Sequence, residues 1–306
     1  MNTEEKRTKF GTVALLGPPN AGKSTLLNKV MGQKVAIVTP KPQTTRNQIT
    51  GIFNDEDSQI VFLDTPGVHR LRGRMNRFLN LSAWSAVEQA DVVVVMADAD
   101  LYAKKPYLLE KEMGPLVEGV QRLAQPVFVA VNKIDAVRDK AALLPVMQAL
   151  GQYWPNAELF PISARDGKGV DELLAAVKGV LPDGAPMFPE DQLSTVPLRF
   201  MAAEIIREKL FLSLRQELPY SVAVEIEEWE EDPKLTRIGG LIWIARDNHK
   251  SMVIGKGGQN LKQVGQEARL ELKELLGCKV HLEMWVKVRR DWTEDVHFLR
   301  TIGLGE

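Results

Sequence analysis

Residues 17–24, GPPNAGKS, constrain this chain more than any other stretch. Two glycines separated by four residues, followed by a lysine and a hydroxyl, form a phosphate loop only where a strand ends and a helix begins. The glycines let successive backbone N–H groups curl around phosphate oxygens at the positive end of that helix. Lys23 then reaches the outer phosphates, and the Ser24 hydroxyl reaches Mg2+. The flanks agree with this requirement: residues 12–16 form an apolar, strand-like run, and residues 23–31 follow with helical spacing.

The same alternation continues to residue 180. Strands are expected at 12–16, 60–63, 92–97, 127–131 and 159–162, with helices near 23–31, 76–90, 105–124, 139–151 and 170–180. Near-continuous apolar strands separated by helices imply an α/β domain whose mostly parallel sheet has helices on both faces, with ligands in loops at the carboxyl ends of the strands. A chain of 306 residues is too long for one typical core. Pro182, Gly184, Pro186, Pro189 and Pro197, interleaved with acidic residues, break the rhythm. We therefore expect a first domain over 1–180, a linker over 181–197 and a second domain over 198–306.

Two further loops complete a base-selective nucleotide site. Asp64, after the 60–63 strand, opens the sequence DTPG and places a carboxylate where Mg2+ is held through water, with Gly67 free to approach a γ-phosphate. Asn132, Lys133 and Asp135, in NKID after the 127–131 strand, choose the base: Asp135 accepts two hydrogen bonds that guanine offers and adenine does not. Lys133 lies along the base plane, and Asn132 ties this loop to the phosphate loop. Ser163, Ala164 and Arg165 follow the last strand and offer backbone N–H groups to the guanine O6.

The second domain reads as helix, strand, strand, helix, GxxG, helix, strand, an order that matches an α+β type II KH domain. Its loop is Ile254-Gly255-Lys256-Gly257-Gly258, and the following helix has Leu261, Val264, Ala268, Leu272 and Leu275 at core spacing. A loop without bulky side chains between two helix ends admits about four nucleotides of single-stranded RNA. Lys256 would meet a phosphate, and Lys250, Lys262, Lys287, Arg289 and Arg290 extend the basic track. Trp285 either stacks a base or packs across strands. Residues 181–306 contain 17 Lys and Arg against 21 Asp and Glu, so an RNA site there must be local rather than a bulk field effect.

From end to end the chain resembles the Era family of ribosome-associated, translation-factor-type GTPases. The resemblance rests on PPNAGKSTLLN, KPQTTR, DTPG, NKID, SA, REKL, ELPYSVAVEIEE, MVIGKGG and HLEMWVKV in the same order. It implies a P-loop GTPase domain whose nucleotide contacts are Gly17, Asn20, Ala21, Gly22, Lys23, Ser24, Thr25, Asp64, Asn132, Lys133, Asp135, Ser163, Ala164 and Arg165. Lys23, Thr45 and Gly67 would serve catalysis, with Ser24, Thr45 and Asp64 holding Mg2+. KPQTTR would be the first switch, in which Thr45, or alternatively Thr44, completes the metal shell. Asn20 either holds part of a K+ site or braces the loop.

RNA contacts implied at Ile254, Gly255, Lys256, Gly257, Gly258, Lys262 and Lys287 point to single-stranded 16S-type rRNA near its 3′ end and to assembly of the small ribosomal subunit. Val68 stands where many small GTPases have a water-orienting glutamine, so slow intrinsic turnover is expected. His69 is either a water-positioning group or a solvent-facing side chain. The arginines at 70, 72, 74 and 77 are read as surface charges or as contacts to RNA or a partner.

One cysteine, Cys278, and an N-terminus without a signal-length apolar run predict a cytoplasmic protein. We expect a monomer, and the resemblance implies peripheral association at the inner face of the cell membrane, although the sequence carries no lipidation signal or strongly basic amphipathic helix. Two other classes fit part of the pattern. A small-molecule phosphotransferase would share the phosphate loop, and an RNA-binding scaffold would share the GxxG module.

Overall fold

The computed structural model describes residues 8–69, 72–232 and 234–304. It divides into two compact units: one formed by the residues up to 36, 45–71 and 79–195, the other by 37–44, 72–78 and the residues from 196 onward.

The first unit is built on a six-stranded sheet in the order β2-β3-β1-β4-β5-β6. Its strands are β1 (Lys9–Leu16), β2 (Ile49–Asn54), β3 (Ser58–Asp64), β4 (Val92–Asp98), β5 (Val127–Asn132) and β6 (Glu158–Pro161). The helices along this part of the chain are α1 (Lys23–Met31), α2 (Arg74–Gln89), α3 (Ala99–Lys104), α4 (Tyr107–Gln121), α5 (Leu143–Tyr153) and α6 (Val170–Val180). All pairings are parallel except β2 with β3. Val92 to Met96 are at most 1% exposed, as strands covered on both faces require. The register sets Leu15 beside Asp64 and Asp98 beside Asn132, so the loops after β1, β3 and β5 open at one end of the sheet.

Sequence periodicity does not reveal β2. Its antiparallel pairing follows from the short connection at residues 55–57, where the Asp55 carboxylate accepts hydrogen bonds from the backbone of Asp57 and Ser58 and from the Ser58 hydroxyl. A turn that short joins only antiparallel neighbours. Its free edge is covered by the proline-rich stretch: Ile52 N donates to the Leu193 carbonyl, and the Gln59 carboxamide bonds the backbone of Met187 and Phe188.

In the second unit, β7 (Val222–Asp232), β8 (Leu235–Ile244) and β9 (Lys279–Val288) form a sheet, with β7 antiparallel and β9 parallel to β8. Helices α7 (Leu198–Ser213) and α9 (Gln259–Leu276) pack on it, joined by α8 (Asp247–Ile254) and followed by α10 (Val296–Thr301). Ile206, Leu210, Ile242, Val264, Ala268 and Leu272 lie in the common core. Leu275, in the last turn of α9, stays 38% exposed and takes no part in it. No helix among the described residues is long and apolar enough to cross a membrane.

Candidate functional site

The loop between β1 and α1 shows why glycine is needed at its end. Gly22 has φ 102°, and a Cβ there would lie 2.1 Å from Asn132 Nδ2. Asn20 also lies in the left-handed region, with φ 62°. No side chain caps the N-terminus of α1 and its first turn carries no acid, which suits an external anion. Thr25 sits half-buried in that turn, while Lys23 and Ser24 are buried. Lys23 Nζ donates to the carbonyls of Gly17 and Pro18 at 3.1 and 3.0 Å.

Three oxygen-bearing side chains meet below this loop. Ser24 Oγ donates to Asp64 Oδ2 at 2.6 Å and lies 2.8 Å from Thr45 Oγ1. Asp64 is fully buried, and its Oδ1 has no hydrogen-bond partner among the described residues. Burial raises its carboxyl to about 6, outweighing the opposing pull of Lys23 and the Ser24 hydroxyl. Burial likewise lowers Lys23 to about 8 against the attraction of Asp64. A buried carboxylate with one oxygen unpartnered and the other taking the Ser24 hydroxyl, which in turn touches Thr45 Oγ1, is a donor set that fits a small hard cation such as Mg2+. Thr44 points elsewhere: its hydroxyl donates to the Lys41 carbonyl and pairs with Thr39 Oγ1.

Gly67 approaches the phosphate loop so closely that a Cβ would lie 2.6 Å from Pro19 N. Val68 N donates to the Gly17 carbonyl at 3.1 Å, and its side chain is buried in the main core of the first unit. His69 is half-buried, its carbonyl accepting from Asn80 Nδ2, and burial lowers its pKa below the ordinary histidine value. Arg70 lies outside the described residues. Arg74 Nη1 donates to the Glu294 carbonyl, both within the second unit.

On the base side, Asn132 bridges two loops: its Nδ2 donates to the Ala21 carbonyl and its Oδ1 accepts from Ala164 N. Asp135 uses both carboxylate oxygens, accepting from Ser163 Oγ at 2.7 Å and from Arg165 at 2.8 Å. The Ser163 N–H is committed to the Lys168 carbonyl. Lys133, at φ 65°, pairs with Asp98 at 2.5 Å.

Periodicity and motif reading alone miss three groups. Asp98 ends β4 beside Asn132, caps α3 through Leu101 N and holds Lys133. The Asn28 carboxamide accepts from Val35 N and Ala36 N and donates to the Ala36 carbonyl. In the second unit, Glu208 accepts from Val38 N, while buried Arg207 pairs with Glu204 and reaches the Thr44 carbonyl. Asn28 ends the string PPNAGKSTLLN, and Arg207 and Glu208 open REKL, but a string does not name a partner, and Asp98 lies outside every quoted motif.

The loop between α8 and α9 contains Gly255, Gly257 and Gly258, all at positive φ. A Cβ at Gly255 would lie 2.7 Å from that of Asn260, whose Nδ2 closes the end of α8 on the Val253 carbonyl. Ile254 packs against the core beside the loop. Lys250, Lys256 and Lys262 are exposed and make no ion pair among the described residues. The rest of the basic track is engaged: Lys287 with Glu227, Arg289 with Asp295, and Arg290 with Asp247. The Trp285 ring lies over Gly239 on the neighbouring strand, which is the cross-strand packing arrangement.

Fold and site together define a P-loop GTPase carrying a C-terminal KH domain. The model of the 50S ribosome-binding GTPase family matches residues 12–133, and that of the KH domain matches residues 217–293. The GTPase Era of Nitratidesulfovibrio vulgaris (strain Miyazaki F) is 58% identical over 300 residues, covering 97% of this chain and 98% of the relative. That of Geobacter metallireducens is 44% identical over 297 residues, covering 96% and 97%. Two solved structures align over 98% of this chain and all of theirs at 39% identity: an Aquifex aeolicus Era variant bound to GDP·AlF4− (TM-score 0.88), and Era with MgGDPNP and nucleotides 1506–1542 of 16S ribosomal RNA (TM-score 0.89). The chain belongs to the Era family of GTPases.

Proposed function

We propose that this GTPase is a magnesium-dependent switch that loads its KH domain onto single-stranded 16S-type rRNA near the 3′ end and so assists assembly of the small ribosomal subunit. The observation that carries the nucleotide half is the unpartnered Asp64 Oδ1 beside Ser24 and Thr45. In this reading the three hold Mg2+, Asp64 through water, and Thr45 rather than Thr44 is the switch ligand because its hydroxyl faces Ser24. When bound, the metal neutralises charge on the transferring phosphoryl group. Lys23 exchanges its carbonyl partners for outer phosphate oxygens. The backbone around Gly17, Asn20, Ala21 and Gly22 wraps the phosphates, with Thr25 in the first turn behind them, and the Gly67 N–H meets the γ-phosphate. Guanine displaces Arg165 from Asp135 and pairs with its carboxylate, while Asn132, Lys133, Ser163 and Ala164 frame the base. Asn20 would either hold part of a K+ site, whose positive charge would act near the transferred group, or brace the loop.

For RNA, the loop at Ile254, Gly255, Lys256, Gly257 and Gly258 with Lys262 and Lys287 forms the contact surface; Lys287 must leave Glu227 to take part. The rRNA complex of the Era relative supports the small subunit as the target, because that relative matches along both domains. The family description naming the 50S subunit covers only residues 12–133. The protein acts as a cytoplasmic monomer with peripheral attachment to the inner membrane face. Along the sequence its domains divide at 1–180, 181–197 and 198–306, while in the fold residues 181–195 cluster with the first unit and 37–44 and 72–78 with the second.

Footprinting of the protein on small subunits with a GTP analogue and with GDP tests this reading. Protection of single-stranded 3′-end nucleotides that changes with the nucleotide is expected; identical footprints would remove the switch. Replacing Lys23 separates the scaffold alternative, since a scaffold would load RNA as before.

A further inference from the structure

At the far end of α9 from the glycine loop lies a pocket of about 520 Å3 lined by Arg237, Arg269, Lys273, Lys279 and His281 together with Leu235, Leu270 and Val280. Its basic residues come from three elements: the start of β8, the last turns of α9 and the start of β9. Arg237, Arg269, Lys273 and Lys279 are exposed, and none of their side chains forms an ion pair or hydrogen bond among the described residues. Only His281 is engaged, with Glu283. No acid lines the pocket itself. Glu271 pairs with Lys209, and Glu230, opposite Arg237 in register, neither lines the pocket nor pairs with it. In a half of the chain with more acids than bases, four cations without an ion pair among the described residues gather around one concavity and make a local positive focus.

We propose that this pocket is a second RNA-binding site, which takes the phosphodiester backbone of the RNA strand beyond the segment held at the glycine loop. This rests on the RNA reading given above. Two arginines supply planar forks and two lysines supply point charges, a set suited to phosphate oxygens. The one ring lining the pocket, the His281 imidazole, is tied to Glu283, and no Phe, Tyr or Trp joins it, so the pocket is built for phosphate contact rather than for reading bases. Helix α9 fixes the spacing: at 1.5 Å per residue, Arg269 and Lys273 stand roughly 16 and 22 Å along the axis from Gly258. An RNA long enough to pass the loop reaches them along the same domain. That continuity favours RNA over an acidic protein segment, which would need a separate approach.

The test uses the full chain with Mg2+ and a non-hydrolysable GTP analogue. Two RNAs are titrated by fluorescence anisotropy across a series of salt concentrations: a short single strand that fills only the glycine loop, and the same strand extended on both sides. The variant Arg269→Gln/Lys273→Gln should bind the extended RNA roughly tenfold more weakly, with a salt slope shallower by about 0.7 for each phosphate contact removed. Its affinity for the short RNA and for GTP should match wild type, which also reports an intact fold. Arg237→Gln, on a different element, should weaken the extended RNA alone in the same way. Wild-type affinity and slope for the extended RNA in these variants would overturn the proposal, including the case in which they lose binding to a polyglutamate peptide that the parent retains. Failure of the underlying RNA reading looks different: Gly257→Asp would then leave binding of the short strand intact.

Discussion

Ser24 Oγ lies 2.6 Å from Asp64 Oδ2, while Oδ1 of the same buried carboxylate has no partner among the described residues. The carboxyl therefore sits in a place that suits a cation better than it suits the metal-free protein.

That mismatch predicts a trade of stability for function at Asp64. Its folded-state pKa of about 6 lies above the ordinary 3.8, so between those values the folded protein holds a proton that the unfolded chain has released. Stability of the metal-free protein falls as pH rises through that window and stays lower above it. In EDTA at about pH 7.5, Asp64→Asn should raise stability by about 1–2 kcal/mol, an advantage that fades as the pH falls toward 4. Mg2+ with GTP should stabilise the parent and not the variant. Thermal melts across pH check this; a variant less stable than the parent at every pH would refute it.

Base choice should follow one carboxylate. Asp135→Asn leaves a carboxamide where two acceptors are needed, so GTP affinity should drop by about 100-fold or more while ATP affinity stays low. Xanthosine triphosphate, with a carbonyl in place of the 2-amino group, should bind the variant better than GTP does. Competition titrations read the order of the three nucleotides; an unchanged preference for GTP would place selectivity elsewhere.

Position 68 tests whether a missing glutamine can simply be restored. Val68 is 4% exposed and packs in the main core of the first unit, so Val68→Gln buries an amide there. A loss of about 1–3 kcal/mol is expected, with no gain in turnover. Faster phosphate release at single turnover would show that the side chain reaches the attacking water after all.

Asn20 offers a conformational control for the potassium proposal. At φ 62° glycine replaces it without backbone strain, so Asn20→Gly removes the carboxamide and little else. Turnover of the parent should be faster in potassium than in sodium, and the variant should be equal in both. Equal rates for the parent would reduce Asn20 to a brace.

The sequence by itself determined the strand–loop–helix around Gly17–Ser24, the parallel strands β1, β3, β4 and β5, the position of Asp135 just past the end of β5 and the glycine loop at 255–258. Each of these depends on local chemistry: a positive φ, an unbroken apolar run, or an acid just past a strand end. Tertiary structure alone decided that β2 runs antiparallel under the proline-rich stretch, that Thr45 rather than Thr44 faces Ser24, that Asp98 holds Lys133, and that Lys287, Arg289 and Arg290 are tied to acids while Arg237, Arg269, Lys273 and Lys279 gather unpaired around a pocket. Those outcomes are set by which side chains from distant segments meet. A hydroxyl, an acid or a lysine carries no periodicity that announces its partner, whereas a buried apolar stripe does.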